Sequence, residues 1–98
     1  MAKDMTIETI VLTNGQEFIA DVTSEENDQY VVRNTVQFIM GNFGEEMDSM
    51  RPFPWPTHAD PVTDKVISSS SVLYKTAPRE DARKAYDQFI MGIIYNPQ

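Results

Sequence analysis

Apolar and polar residues alternate from Ile7 to Leu12, pause at Asn14-Gly15, and resume from Phe18 to Val22. A period of two belongs to strands, and an Asn-Gly step between two such runs predicts a tight hairpin. Strands are expected over about residues 6–13 and 16–22. On the first, Glu8, Ile10 and Leu12 share one face and Ile7, Thr9 and Val11 the other. Both faces carry apolar groups, so both are expected to be covered. On the second, Phe18, Ala20 and Val22 face one way and Glu17, Ile19 and Asp21 the other. The polar run from Thr23 to Gln29 predicts a turn. A third strand is expected from Tyr30 to Ile39, interrupted at Arg33-Asn34 by a bulge or sharp bend. Strong bending is what lets a short sheet curl.

The alternation fails beyond Gly41. Residues 41–61 read as one long connection, because Pro52, Pro54, Pro56 and Pro61 oppose a helix or a central strand. Phe53 and Trp55 alternate with these prolines. Two readings stand: a stiff loop whose rings cover an open core edge, or a polyproline-type ligand for an aromatic groove. Strand character returns over residues 62–69 and 71–76, on either side of the run Ser68 to Ser71. Over residues 77–95, Ala82, Ala85, Tyr86, Phe89, Ile90, Ile93 and Ile94 recur at three- and four-residue spacing, which predicts an amphipathic helix. Pro78 suits its first turn, Thr76 could cap it, and Asn96-Pro97 would end it. Residues 1–5 read as a frayed tail.

Ninety-eight residues make one domain, 1–98, with a modest core. There is no cysteine, which excludes disulfides, thiolate metal sites and a thiol nucleophile. No apolar run is long enough to span a bilayer, and the first residues lack the apolar region of a signal peptide, so a cytoplasmic protein is expected. The net charge is -7, divided as -8 over residues 1–50 (two basic, ten acidic) and +1 over residues 51–98 (six basic, five acidic). So acidic a chain does not draw in phosphate backbones from a distance. A nucleic acid would have to be held locally, by stacking and hydrogen bonds.

Enzyme chemistry finds few candidates. The single histidine, His58, lies in the proline-rich stretch, where His58 and Asp60 offer two metal ligands and no third. There is no glycine-rich phosphate loop and no Ser-His-Asp order. Glu25-Glu26 and Glu45-Glu46 read as solvated charge. The expectation is a protein that is not an enzyme and has neither cofactor nor metal.

Two segments resemble the Sm/LSm family. Leu12-Thr13-Asn14-Gly15-Gln16-Glu17-Phe18-Ile19-Ala20-Asp21-Val22 is similar to the first Sm motif, and Val66-Ile67-Ser68-Ser69-Ser70-Ser71-Val72-Leu73-Tyr74 to the second. More narrowly, the chain resembles the divergent Sm-like proteins associated with marine phage (cyanophage) genomes, whose site of action would be host cytoplasm. It departs from the family at Ala20, where a glycine is usual, and at Ser68-Ser69, where an Arg-Gly pair is usual. The helix is also at the C-terminal end rather than at the start.

The resemblance implies a mainly β fold: a strongly bent five-stranded antiparallel barrel over residues 6–76 with a C-terminal α-helix. It implies a homo-oligomeric ring of five to seven subunits, joined through Val66, Ile67, Val72 and Leu73. It implies a central site for single-stranded RNA or DNA, lined by Asn27, Asp28, Gln29 and Tyr30 on one side and Ser68, Ser69, Ser70 and Ser71 on the other. Amides and hydroxyls can read base edges, and Tyr30 offers a stacking face. The rival expectation is a structural or adaptor oligomer that binds a protein. No membrane partner is expected.

Overall fold

The computed structural model describes residues 6–43 and 46–95. The expected tail at 1–5, Glu45 of the second acidic pair and the Asn96-Pro97 helix stop lie outside them. Six strands follow in order: β1 (Ile7–Leu12), β2 (Glu17–Glu26), β3 (Gln29–Phe43), β4 (Glu46–Pro54), β5 (Lys65–Ser68) and β6 (Val72–Thr76). A 3-10 turn, Ser69–Ser71, links β5 to β6, and the helix α1 (Glu80–Tyr95) closes the chain. The sheet is antiparallel throughout, in the order β4-β3-β2-β1-β6, with β5 also paired to β3.

The first hairpin forms where the sequence places it. Ile10 pairs with Phe18 and Val11 with Glu17, and Gly15 turns the chain at φ 93°. A side chain is disfavoured at that angle, so glycine is the residue that fits. β2 then runs on past Val22. Thr23 to Glu26 are polar, yet Ser24, Glu25 and Glu26 pair with Val31, Tyr30 and Gln29 across the second hairpin, with Thr23 at a register shift, so the expected polar loop is strand as far as Glu26. The turn shrinks to Asn27-Asp28, at φ 54° and 60°, the left-handed pair a two-residue hairpin requires.

The interruption at Arg33-Asn34 is a bulge. Asp21 opposes Arg33 and Ile19 opposes Val36, so β3 spends one residue more than β2 between those pairs, and Asn34 sits at φ 54°. The extra residue moves β3's side chains from one face to the other. Before it, Tyr30 and Val32 join Ile10, Leu12, Phe18, Ala20 and Val22 in one core. After it, Val36 and Phe38 join Ile7, Ile19 and the helix residues Ala82, Tyr86, Phe89 and Ile90 in another. The first strand is thus covered on both faces, as its sequence requires.

The expectation of a loop throughout 41–61 is corrected over part of its length. β4 pairs with β3 through Phe38↔Pro52 and Val36↔Pro54. Pro52 and Pro54 are two apart, so both missing N–H groups fall on the same side of the strand. That side is the outer edge, since Trp55, one residue out of phase with Pro54, donates its N–H to the Thr35 carbonyl at 3.1 Å. The prolines exclude a central strand and permit this edge strand. The expected strand over 62–69 is only Lys65–Ser68, and the helix starts at Glu80, with Thr76 ending β6 rather than capping.

Trp55 settles onto the first core, its ring stacked on Phe18 at 3.9 Å and 9°. Fully buried Thr35 holds the Trp55 backbone from both sides: its carbonyl accepts from Trp55 N–H and its hydroxyl donates to the Trp55 carbonyl. The ring covers the core edge.

Candidate functional site

The serine turn is bonded to two distant hairpins at once. Ser69 N–H donates to the Asp28 carbonyl at 2.9 Å, and Thr13 N–H donates to the Ser71 carbonyl at 2.9 Å. Asp28 and Thr13 flank opposite ends of β2. Ten residues of straight strand would span roughly 33 Å, yet both ends reach one three-residue turn. The sheet must therefore curl. Among the described residues, no ladder joins β5 to β6, so the curl is completed through the turn rather than by strand pairing.

This bond brings together the two expected halves of the site. Gln29 pairs with Ser68 and Tyr30 with Ile67. Asn27, Asp28 and Gln29 are exposed on one side, with Ser68, Ser70 and Ser71 exposed and Ser69 half-buried on the other. The Ser68 and Ser70 hydroxyls bond each other at 2.9 Å, and Ser68 Oγ accepts from Ser70 N–H at 3.4 Å. The result is a polar rim rich in hydroxyls and amides, with the exposed Asp28 carboxylate among them.

Tyr30 sits differently from its neighbours. It is half-buried against the first core, with Lys75 Nζ 4.9 Å from the centre of its ring. The face toward Lys75 is occupied by that cation. Lys75 in turn reaches Glu25 at 2.9 Å and Glu8 at 3.3 Å. Burial pulls the Lys75 ammonium down, but hydrogen bonds and charge from Glu25 and Glu8 outweigh it and leave its pKa above the ordinary value. This Glu8–Lys75–Glu25 group was not legible in the sequence, where its members lie far apart. Only the position of Lys75 opposite Ile10 brings them together.

The four expected interface residues divide into two pairs. Val66 and Leu73 are 61% and 63% exposed. Ile67 and Val72 are half-buried and pack against the first core. Tyr74, which sequence reasoning left out, is also exposed. Among the described residues β5 pairs only with β3 and β6 only with β1, so each presents one unpaired backbone edge.

His58 is exposed, and no three metal-ligating side chains gather among the described residues. No helix of the described residues is long and apolar enough to cross a membrane. No protein-family model and no curated protein matches this chain.

Proposed function

We propose that the chain is an Sm-like subunit of a closed homo-oligomeric ring of five to seven copies. The ring binds single-stranded nucleic acid, RNA foremost, in a processing or regulatory role. One observation carries the reading. Two strands with open edges and exposed aliphatic side chains, Val66 on β5 and Leu73 on β6, are joined by a turn that also bonds the Asn27-Asp28 hairpin.

Open edges are an association hazard until they are paired. Pairing β5 of one copy with β6 of the next is head-to-tail, and a repeated head-to-tail contact closes when its rotation allows. The curled sheet of each copy then becomes an Sm-like barrel in its ring. Closure gathers the serine turns and the Asn27-Asp28 turns of all copies around one axis. Asn27, Gln29 and the serine hydroxyls supply donors and acceptors for base edges there. Repetition around the ring multiplies weak single contacts.

A second reading has its own support. Lys75 occupies one face of Tyr30, and the net charge of -7 repels phosphate. Both favour an adaptor ring that binds a protein. Size-exclusion chromatography with light scattering tests the ring, and a monomer at micromolar concentration overturns it. Fluorescence anisotropy with labelled U-rich and A-rich oligonucleotides, at low and moderate salt, separates the two ligands. Binding at low salt supports the nucleic-acid reading, and its absence leaves the adaptor.

A further inference from the structure

We infer that the Trp55 pocket is a second nucleic-acid contact, holding one unpaired base outside the serine rim. The inference rests on the reading of the chain as a single-strand binder, and it assigns work to a loop that reading does not use. Gln16, Gln37, Trp55, Pro56, Thr57 and His58 line an open pocket of about 420 Å³.

Its floor is rigid. The Trp55 ring is backed by Phe18 in a parallel stack, and Thr35 holds the Trp55 backbone from both directions. An aromatic ring fixed in this way loses little freedom when a second ring lies on it.

The rim is polar and set for a ring with mixed edges. Gln37 Nε2 donates to the Pro54 carbonyl at 2.8 Å and to Thr57 Oγ1 at 3.1 Å. Both its N–H groups are committed, which leaves the amide oxygen of this lining residue as an acceptor with no bond among the described residues. Gln16 accepts a long 3.5 Å contact from Asn14 through Oε1, and its amide NH2 has no bond among the described residues. His58 is exposed and can donate or accept. An acceptor, a donor and a group that serves as either, around a flat aromatic floor, match a nucleobase better than an aliphatic or carboxylate ligand.

Charge points the same way. In a chain of net charge -7 the pocket lining holds no carboxylate and no fixed cation. A base can enter without bringing its phosphate against an acidic wall, and a free anion finds nothing to pair with. The pocket also adjoins the proposed rim along the chain: Gln16 is three residues from Thr13, which bonds Ser71. A strand leaving the serine turns can therefore reach it.

Trp55 is the only tryptophan, so tryptophan emission comes from this pocket and the core edge beneath it. The test titrates U-rich and A-rich oligonucleotides and follows Trp55 emission together with the anisotropy of a labelled strand. It compares the parent, Gln16→Ala/His58→Ala and Ser68→Ala/Ser70→Ala. Gln16 and His58 are exposed, and circular dichroism checks that the variants fold. Expected are quenching in the parent, quenching weakened about tenfold in Gln16→Ala/His58→Ala, and quenching retained in Ser68→Ala/Ser70→Ala. An anisotropy rise without any change in Trp55 emission overturns the pocket and leaves the single-strand-binding reading standing. Quenching equal in the parent and in Gln16→Ala/His58→Ala also overturns it. No response in either signal overturns both the pocket and the nucleic-acid reading, and leaves the adaptor.

Discussion

Asn34 does three things with one backbone position. Its left-handed φ makes the bulge, the bulge moves β3 from one core to the other, and its carbonyl accepts the Tyr86 hydroxyl at 2.7 Å. Asn34→Gly should keep the fold, whereas Asn34→Ala should cost about 1 kcal/mol in urea unfolding, because alanine lacks the short polar side chain that lets asparagine tolerate left-handed backbone. Tyr86→Phe leaves a buried carbonyl without its donor and should cost about 1–2 kcal/mol. Burial, helped by the charges of Asp21 and Asp87, lifts the Tyr86 phenol well above its ordinary value of 10.0. Lys75, ordinarily 10.5, is also raised. A raised folded-state pKa contributes stability that is complete below the unfolded value and is lost as pH climbs through the folded one. Both groups therefore predict a urea midpoint that falls as pH rises past about 10. The fall should be shallower in Tyr86→Phe, since the phenol no longer titrates. Lys75→Met keeps the buried stem and strands two carboxylates. Glu25 is 48% exposed and stays hydrated, so the cost should be modest, about 1 kcal/mol.

The hairpins and the helix show what alternation can and cannot reveal. Asn14-Gly15, the break at Arg33-Asn34 and the stripe from Ala82 to Ile93 are local signals, and each produced the element it announced. β4 is hidden in the sequence because proline breaks a strand or not according to which edge its nitrogen faces, and that edge is set by the pairing with β3. Pro52 and Pro54 repeat at period two, and that period was the strand signal. The end of β2 was missed because Thr23 to Glu26 are polar, while their pairing comes from β3 rather than from burial. The Glu8–Lys75–Glu25 group depends on the register of β1 with β6, which no local pattern encodes. Of the candidate site, the meeting of Asp28 with Ser69 was legible through the family resemblance; the occupied face of Tyr30 was not. The second hairpin also carries a prediction. Asp28 sits at φ 60°, so Asp28→Gly makes an Asn-Gly turn and should raise stability by about 0.5 kcal/mol. On the helix, Ile90→Ala opens a cavity over Ile19 and Val36 and should cost about 2–4 kcal/mol.

At the scale of the whole molecule, the described residues form one sheet with two cores and, besides the proline-lined outer edge of β4, two spare edges at β5 and β6. The cores occupy opposite faces, separated by the bulge, and the helix covers only the second. The spare edges bear Val66, Leu73 and Tyr74 in the open. Val66→Lys/Leu73→Lys changes no residue of either core. It should leave circular dichroism unchanged and convert the proposed ring to monomer on light scattering. An assembly of undiminished mass would move the interface elsewhere.

The pairing of β1 with β6 also sets when folding can finish. Thr9 waits for Thr76, and Val11 for Tyr74. Until the last third of the chain has left the ribosome, the first strand keeps a bare flank and Leu12 lacks its cover. A nascent chain shorter than that is a sticky half-sheet, so early synthesis is the stage at which this protein most needs a chaperone.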